Sequence, residues 1–212
     1  VVKGEKLTDP EKIKEEVSEK LEREFFFLKT KNIFLVNRKE IIEKIKKSFP
    51  TVYDLKISFK IPNKIEILVI EREPFAILCK EFCYLVDGEG FAFEKVEKEN
   101  NNFLKIILKD NEIFLGEKGI EKNVLENIFY FKKNLKEEFN TDIEKVEFSS
   151  TEKAVLFTDE GWQIIFNPTD NPTWQFVKLR VLLEREITTE NRKKLDYVEL
   201  RFDNLAPFKY KN

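Results

Sequence analysis

Residues 65–93 read IEILVIEREPFAILCKEFCYLVDGEGFAF, a strand that stops at a charged junction and restarts as a hairpin. Ile65, Ile67 and Val69 alternate with Glu66, Leu68 and Ile70, the period of two that marks a strand with one face in a core. Glu71-Arg72-Glu73-Pro74 breaks that run, because Pro74 lacks an N–H for the ladder and holds Glu73 extended. A second apolar run follows at Phe75–Leu78, then a tight reversal, a strand at Phe82–Val86 and the turn Asp87-Gly88-Glu89-Gly90. The junction divides the chain into a domain over residues 1–72 and a second over 73–212.

Working back from the junction, Tyr53, Leu55, Ile57 and Phe59 alternate with Asp54, Lys56, Ser58 and Lys60. Pro62-Asn63 supply the turn that returns the chain antiparallel. Before that strand, Asn37 caps a helix with Glu40 three residues on. Ile41, Ile42, Ile45 and Phe49 face inward, and Phe49-Pro50 stops it. An earlier helix starts at Asp9-Pro10 and carries Ile13, Val17, Leu21 and Phe25 on one stripe. With a short strand at Val1-Val2-Lys3 the order is β-α-α-β-β, a three-stranded sheet covered by two helices.

Beyond the hairpin, Val96–Asn102 reads as a polar loop, and Phe103–Leu108 and Ile113–Leu115 as short strands. Gly119–Leu135 has helical spacing through Ile120, Val124, Ile128, Phe131 and Leu135. Strands follow at Ile143–Phe148, Lys153–Thr158 and Trp162–Phe166, the last two joined by Asp159-Glu160-Gly161. Asn171-Pro172 opens a helix with Trp174, Val177 and Val181 on one face. Tyr197–Phe202 is the last strong strand, with Leu205–Tyr210 as a further candidate. The fold class is α+β, a β-α-α-β-β module followed by a mixed, mainly antiparallel β domain with two helices.

Composition narrows the chemistry. The 212 residues carry 38 Lys+Arg against 40 Asp+Glu, a net charge of −2 in mixed sign, without the concentrated basic face of a nucleic-acid clamp. Histidine is absent, which removes the commonest general base and metal ligand. Cys79 and Cys83 are too few for a zinc site. Across a hairpin they read either as a disulfide or as two small apolar residues. No run approaches the ~20 apolar residues of a membrane span. Glu71 and Glu73, two apart on a strand and so about 7 Å from each other, resemble a glycosidase pair only in type, since no aromatic groove accompanies them. Ser149, Ser150 and Cys83 lack an activating base. Asp87-Gly88-Glu89-Gly90 is too short for a calcium loop, lacks the lysine of a phosphate loop, and is ordinary turn chemistry. These readings give no enzyme, no metal and no cofactor.

The junction Glu71-Arg72-Glu73-Pro74, the hairpin around Leu85-Val86-Asp87-Gly88 and the late strand Tyr197-Val198-Glu199-Leu200-Arg201-Phe202 occur in the order found in the bacterial cell-division family FtsQ/DivIB, which this chain resembles over nearly its whole length. Two departures are visible. Phe166-Asn167 stands where the family's strand ends in Leu-Gly, and Glu199 and Phe202 stand where Asp and Tyr are common. The resemblance implies a POTRA domain at 1–72, the family's β domain at 73–212, and a single transmembrane helix before Val1 that anchors an extracytoplasmic region at the division septum of the inner (cytoplasmic) membrane. It implies a non-enzymatic divisome scaffold that binds FtsB/DivIC and FtsL and helps recruit septal peptidoglycan synthesis.

Within that reading, Glu71, Arg72, Pro74, Asp87, Gly88 and Gly90 are interdomain or structural positions, with Arg72 as the interdomain pin. The partner-binding set is Tyr197, Glu199, Arg201, Phe202, Asn204, Leu205, Phe208 and Tyr210, on a terminal strand read as a sheet edge. Arg201 is expected to meet an acidic residue of the partner. The alternatives are a POTRA-containing outer-membrane assembly or secretion component, which predicts repeated POTRA units or a barrel, and a cell-wall hydrolase, which predicts an acid in a cleft.

Overall fold

The structure, a computed structural model, describes residues 2–3, 11–12, 15, 38–60, 64–97, 102–109 and 112–211. The Asp9-Pro10 start, the stripe Ile13, Val17, Leu21 and Phe25, the stretch 26–36 and the Asn37 cap lie outside the described residues. The chain forms two compact units, Val1–Glu73 and Pro74–Asn212.

The first unit contains strand β1 (Val2–Lys3), helix α1 (Arg38–Ser48), and strands β2 (Val52–Lys60) and β3 (Lys64–Glu71), in the sheet order β1-β3-β2. β3 runs antiparallel to β2 and parallel to β1. As the alternation requires, Ile67 and Val69 are buried while Leu68 is exposed. They pack with Ile41 and Ile45 of α1 and with Val52 and Leu55, and the helix ends at Ser48, before Phe49-Pro50. Tyr53 departs from expectation. The register shifts between Val52 and Asp54, and this β-bulge places Tyr53 on the outside. Its ring lies 5.4 Å from the Arg72 guanidinium carbon and 5.9 Å from Lys46 Nζ.

The second unit is built on a nine-stranded sheet of order β12-β11-β10-β9-β8-β7-β4-β5-β6. Its strands are β4 (Ala76–Cys79), β5 (Cys83–Val86), β6 (Ala92–Val96), β7 (Lys105–Ile107), β8 (Ile143–Ser150), β9 (Lys153–Thr158), β10 (Gln163–Phe166), β11 (Leu195–Glu199) and β12 (Phe208–Tyr210). Helices α2 (Lys122–Phe139), α3 (Pro172–Arg185) and α4 (Thr189–Arg192) interrupt them. Neighbouring β7 and β8 are parallel because α2 carries the chain back between them, and α3 does the same for β10 and β11. The β4–β5–β6 and β8–β9–β10 meanders are antiparallel.

Both long helices bury one stripe in the main core. Val124, Leu125, Ile128, Phe131 and Leu135 of α2 join Phe176, Leu179, Leu182 and Leu183 of α3 against Val146, Leu156, Ile164, Phe166 and Val198. A separate cluster of Ile77, Cys79, Cys83, Leu85 and Phe93 uses the alternate residues of β4 and β5. β4 is therefore buried on both faces, which accounts for its unbroken apolar sequence.

Four expectations are corrected. Val96 closes β6 rather than opening a loop. Residues 113–115 are not a strand. Gly116 takes a positive φ of 86°, and the segment turns to lay its backbone on Ala92, with Gly116 N donating to Ala92 O and Ala92 N to Glu117 O. Asn171 does cap α3, its side chain accepting from the N–H groups of Thr173 and Trp174. The Trp174–Val181 face of that helix nevertheless points outward, because Gln175, Phe176, Leu179 and Leu182 form its buried stripe. The fourth concerns the terminal strand: β11 stops at Glu199 and pairs with both β10 and β12, so the sheet edge is β12.

Candidate functional site: the C-terminal sheet edge

β11 ends at Glu199, Leu200 is still buried in the main core, and the loop 201–207 carries the chain round to β12. Glu199 N donates to Pro207 O at 2.8 Å, and Leu200 N donates to Ile165 O at 2.8 Å, which together fix the loop's mouth. Helix α3 shapes the remainder. Lys178 Nζ donates to the carbonyls of Leu200 and Phe202, and Trp174 Nε1 donates to Asp203 O at 2.9 Å. Partial burial lowers the Lys178 pKa from its ordinary value, against the opposing charges of Asp203, Asp170 and Glu199.

Held this way, the loop turns its apolar side chains to solvent, with Phe202 54% and Leu205 67% exposed. Phe208 and Tyr210 are exposed on β12, their rings edge to face at 5.5 Å. Asn204 is exposed in the same loop. Since Glu199 N reaches Pro207 O and Lys211 N reaches Lys194 O, residues 207, 209 and 211 turn their backbone groups to β11. By the alternation of an antiparallel pair, the N–H and C=O of Phe208 and Tyr210 point to the open side. The opposite end of the sheet differs. β6 has its first residues covered by the 114–117 segment and continues with Glu94 and Lys95, a blunted edge. β12 has neither protection among the described residues.

Arg201 is engaged within the chain. Its Nε and Nη2 donate to the two carboxylate oxygens of Glu199 at 2.8 and 2.9 Å, and its backbone N–H donates to the same group at 3.3 Å. The Glu199 hydrogen bonds raise the Arg201 pKa above its ordinary value, against a smaller opposing effect of burial. Glu199 is buried, so the pair fixes the exit of β11. Arg201→Ala is therefore expected to lower the stability of this domain by about 1–3 kcal/mol, because it removes both side-chain donors from a buried carboxylate. Thermal unfolding is the check, and a melting temperature equal to wild type would mean that the pair is idle. Tyr197, half-buried, lies on the interior strand β11.

The junction positions organise turns. Arg72 Nε donates to Pro50 O at 3.1 Å and its N–H to Thr51 O at 2.8 Å, contacts within the first unit. Phe75, following Pro74, stacks on Phe129 at 4.1 Å in the second. Asp87 is buried, its carboxylate accepting from Glu89 N and Phe91 N at 3.0 Å. Gly90 supplies the positive φ that the turn needs. Cys79 and Cys83, opposite each other in the β4–β5 register, are joined by a disulfide. Among the described residues no His, Cys, Asp and Glu side chains group to hold a metal, and no helix is long and apolar enough to cross a membrane.

Sequence reasoning missed Trp174 and Lys178 as the residues that shape the loop. They lie i, i+4 on one helix face, a spacing that in retrospect marks a joint contact. Read as a core stripe, that signal pointed the wrong way.

A small helix-and-sheet module is followed by a mixed nine-stranded domain whose sheet ends at the β12 edge. The FtsQ-type POTRA domain family matches residues 1–72. The chain is 26% identical over 175 residues to the cell division protein FtsQ of Blochmanniella floridana, covering 81% of this chain and 62% of that protein. It is 39% identical over 83 residues to the cell division protein DivIB of Clostridium botulinum, covering 38% of this chain and 31% of that one. The N-terminal unit thus carries an FtsQ-type POTRA domain, and the chain is similar to the cell-division proteins FtsQ and DivIB. It spans less than two thirds of the length of either relative.

Proposed function

We propose that this chain is the extracytoplasmic part of a non-enzymatic division scaffold whose β12 edge receives a strand from an FtsB/DivIC-like partner. FtsL joins the assembly, and septal peptidoglycan synthesis is recruited through it. The observation that carries the reading is the β12 edge itself: two outward N–H/C=O pairs at Phe208 and Tyr210, flanked by exposed Phe202 and Leu205. An incoming strand gains main-chain hydrogen bonds from such an edge and side-chain contacts from the aromatic surround. The Cys79–Cys83 disulfide suits an oxidising, extracytoplasmic compartment. Membrane anchoring by a preceding helix completes the reading.

Proline at position 208 is the sharp probe. Its missing N–H points away from β11, so the native ladder survives while the incoming strand loses a donor. Phe208→Pro is expected to weaken binding of the partner's extracytoplasmic segment by about 2 kcal/mol, roughly thirty-fold, at unchanged melting temperature. Phe208→Ala, which keeps the N–H, is expected to lose less. Wild-type affinity for the proline variant in a calorimetric titration would remove the edge from the interface.

A further inference from the structure

We infer that the Cys79–Cys83 disulfide is a redox latch on the β5–β6 end of the sheet, so that this end closes only in an oxidising compartment while the helix-covered core folds without it. The two cysteines are the last register pair before the tip Lys80-Glu81-Phe82, with Cα atoms 4.1 Å apart. Both side chains are buried, at 5% and 1% exposure, among Ile77, Leu85 and Phe93. Reduction takes two electrons and two protons from a dithiol, which leaves as its cyclic disulfide, and converts the S–S bond into two thiols. Two sulfurs no longer bonded must separate to van der Waals contact, and a site packed this closely has no spare room for the added width.

The strands flanking the pair are not equally free to give way. β4 is clamped on its far side by the parallel ladder to β7, where Cys79 O accepts from Leu108 N at 2.9 Å. Among the described residues β5 is backed by β6, the last strand of the sheet, whose start is held by Gly116 and Glu117 but whose pairing with β5 is broken by a bulge between Leu85 and Val86. The added width therefore displaces β5 and β6 rather than β4. The cysteines belong to a cluster separate from the one that holds α2 and α3, whereas Val86 and Ala92, at the far end of β5 and β6 beyond the bulge, belong to the helix-side core, so the opening is confined to the tip end of the two strands. What the opening uncovers is apolar: Leu85, Phe93 and the second face of Ile77. A chain still reduced thus presents this apolar cluster, and oxidation buries it.

Hydrogen exchange by mass spectrometry on the 212-residue chain, before and after reduction with a dithiol and with thiol content counted in parallel, tests this. The native protein is expected to show no free thiols. The reduced protein is expected to exchange roughly tenfold or more faster over residues 82–85 and 93–96, the scale of a lost short-loop cross-link, with β8–β12 and α2 unchanged. The Cys79→Ala/Cys83→Ala double variant, which leaves space in place of thiols, is expected to lie nearer the oxidised pattern than the reduced protein does. Exchange unaltered by reduction, loosening spread uniformly over residues 74–211, or two free thiols in protein from an oxidising compartment would each overturn the latch. None of these outcomes bears on whether β12 binds a partner.

Discussion

Glu160→Ala is expected to cost about 3–5 kcal/mol of stability, the scale for stripping a buried ion of its counter-charge. The Glu160 carboxylate sits in the turn between β9 and β10 and accepts from Arg192 Nε and Nη2, both at 2.6 Å, and from the Trp162 indole at 2.9 Å. Arg192 Nη2 also donates to Phe139 O at 3.2 Å, so one guanidinium ties this turn to the end of α2 from its place in α4. The side chains are only 10% and 19% exposed, and Trp162 is fully buried. Removing the carboxylate leaves the guanidinium unpaired and the indole N–H without its acceptor.

The pH dependence follows from the same contacts. Burial works against the ionised carboxylate, but the Arg192 and Trp162 hydrogen bonds, the Arg192 charge and the Thr141 hydroxyl outweigh it and hold the Glu160 pKa below its ordinary value. A carboxyl lowered on folding adds stability above its unfolded pKa and loses that contribution as pH falls through the folded one. Thermal unfolding of wild type and Glu160→Gln should therefore converge on acidification below the ordinary carboxylate range. A gap that stays constant down to that pH would show that the charge is not what the network uses.

Gly90→Ala is the second large effect, about 2–5 kcal/mol, combining the left-handed backbone cost with overpacking. Gly90 has a φ of +81°, and a Cβ there would stand 1.9 Å from the carbonyl oxygen of Ile120, backbone that cannot swing aside. The same contact region is bonded, Gly119 N donating to Gly90 O at 2.9 Å, so separation would also break the link from the hairpin to the start of α2. Gly88 provides the control, since nothing lies within 4 Å of its added Cβ. Gly88→Ala should stay within about 0.5 kcal/mol of wild type. Equal melting temperatures for the two variants would refute the close-approach account of Gly90.

Much of this molecule is legible without coordinates because its signals are local. The alternation through Ile67 and Val69, the inward Ile41 and Ile45, the Asn171-Pro172 helix start and the Asp87–Gly90 turn each depend on residues a few positions apart. So do the stripe of α2 and the three strands from Ile143 to Phe166, and together they specify the α+β class, while the N-terminal pattern carries the likeness to an FtsQ-type POTRA domain. What local sequence could not decide was who sits beside whom. An alternating strand looks the same at an edge as in the interior, and only the pairing of β11 with β10 and β12 moves the edge to Phe208–Tyr210. A helix stripe such as Trp174, Val177 and Val181 has no inherent inside, and the larger neighbouring stripe of Phe176, Leu179 and Leu182 took the core. A single inserted residue turned Tyr53 outward, since one step along a strand reverses every side chain. Arg201, an arginine awaiting an acid in the sequence, finds one two residues away in Glu199, at the end of β11.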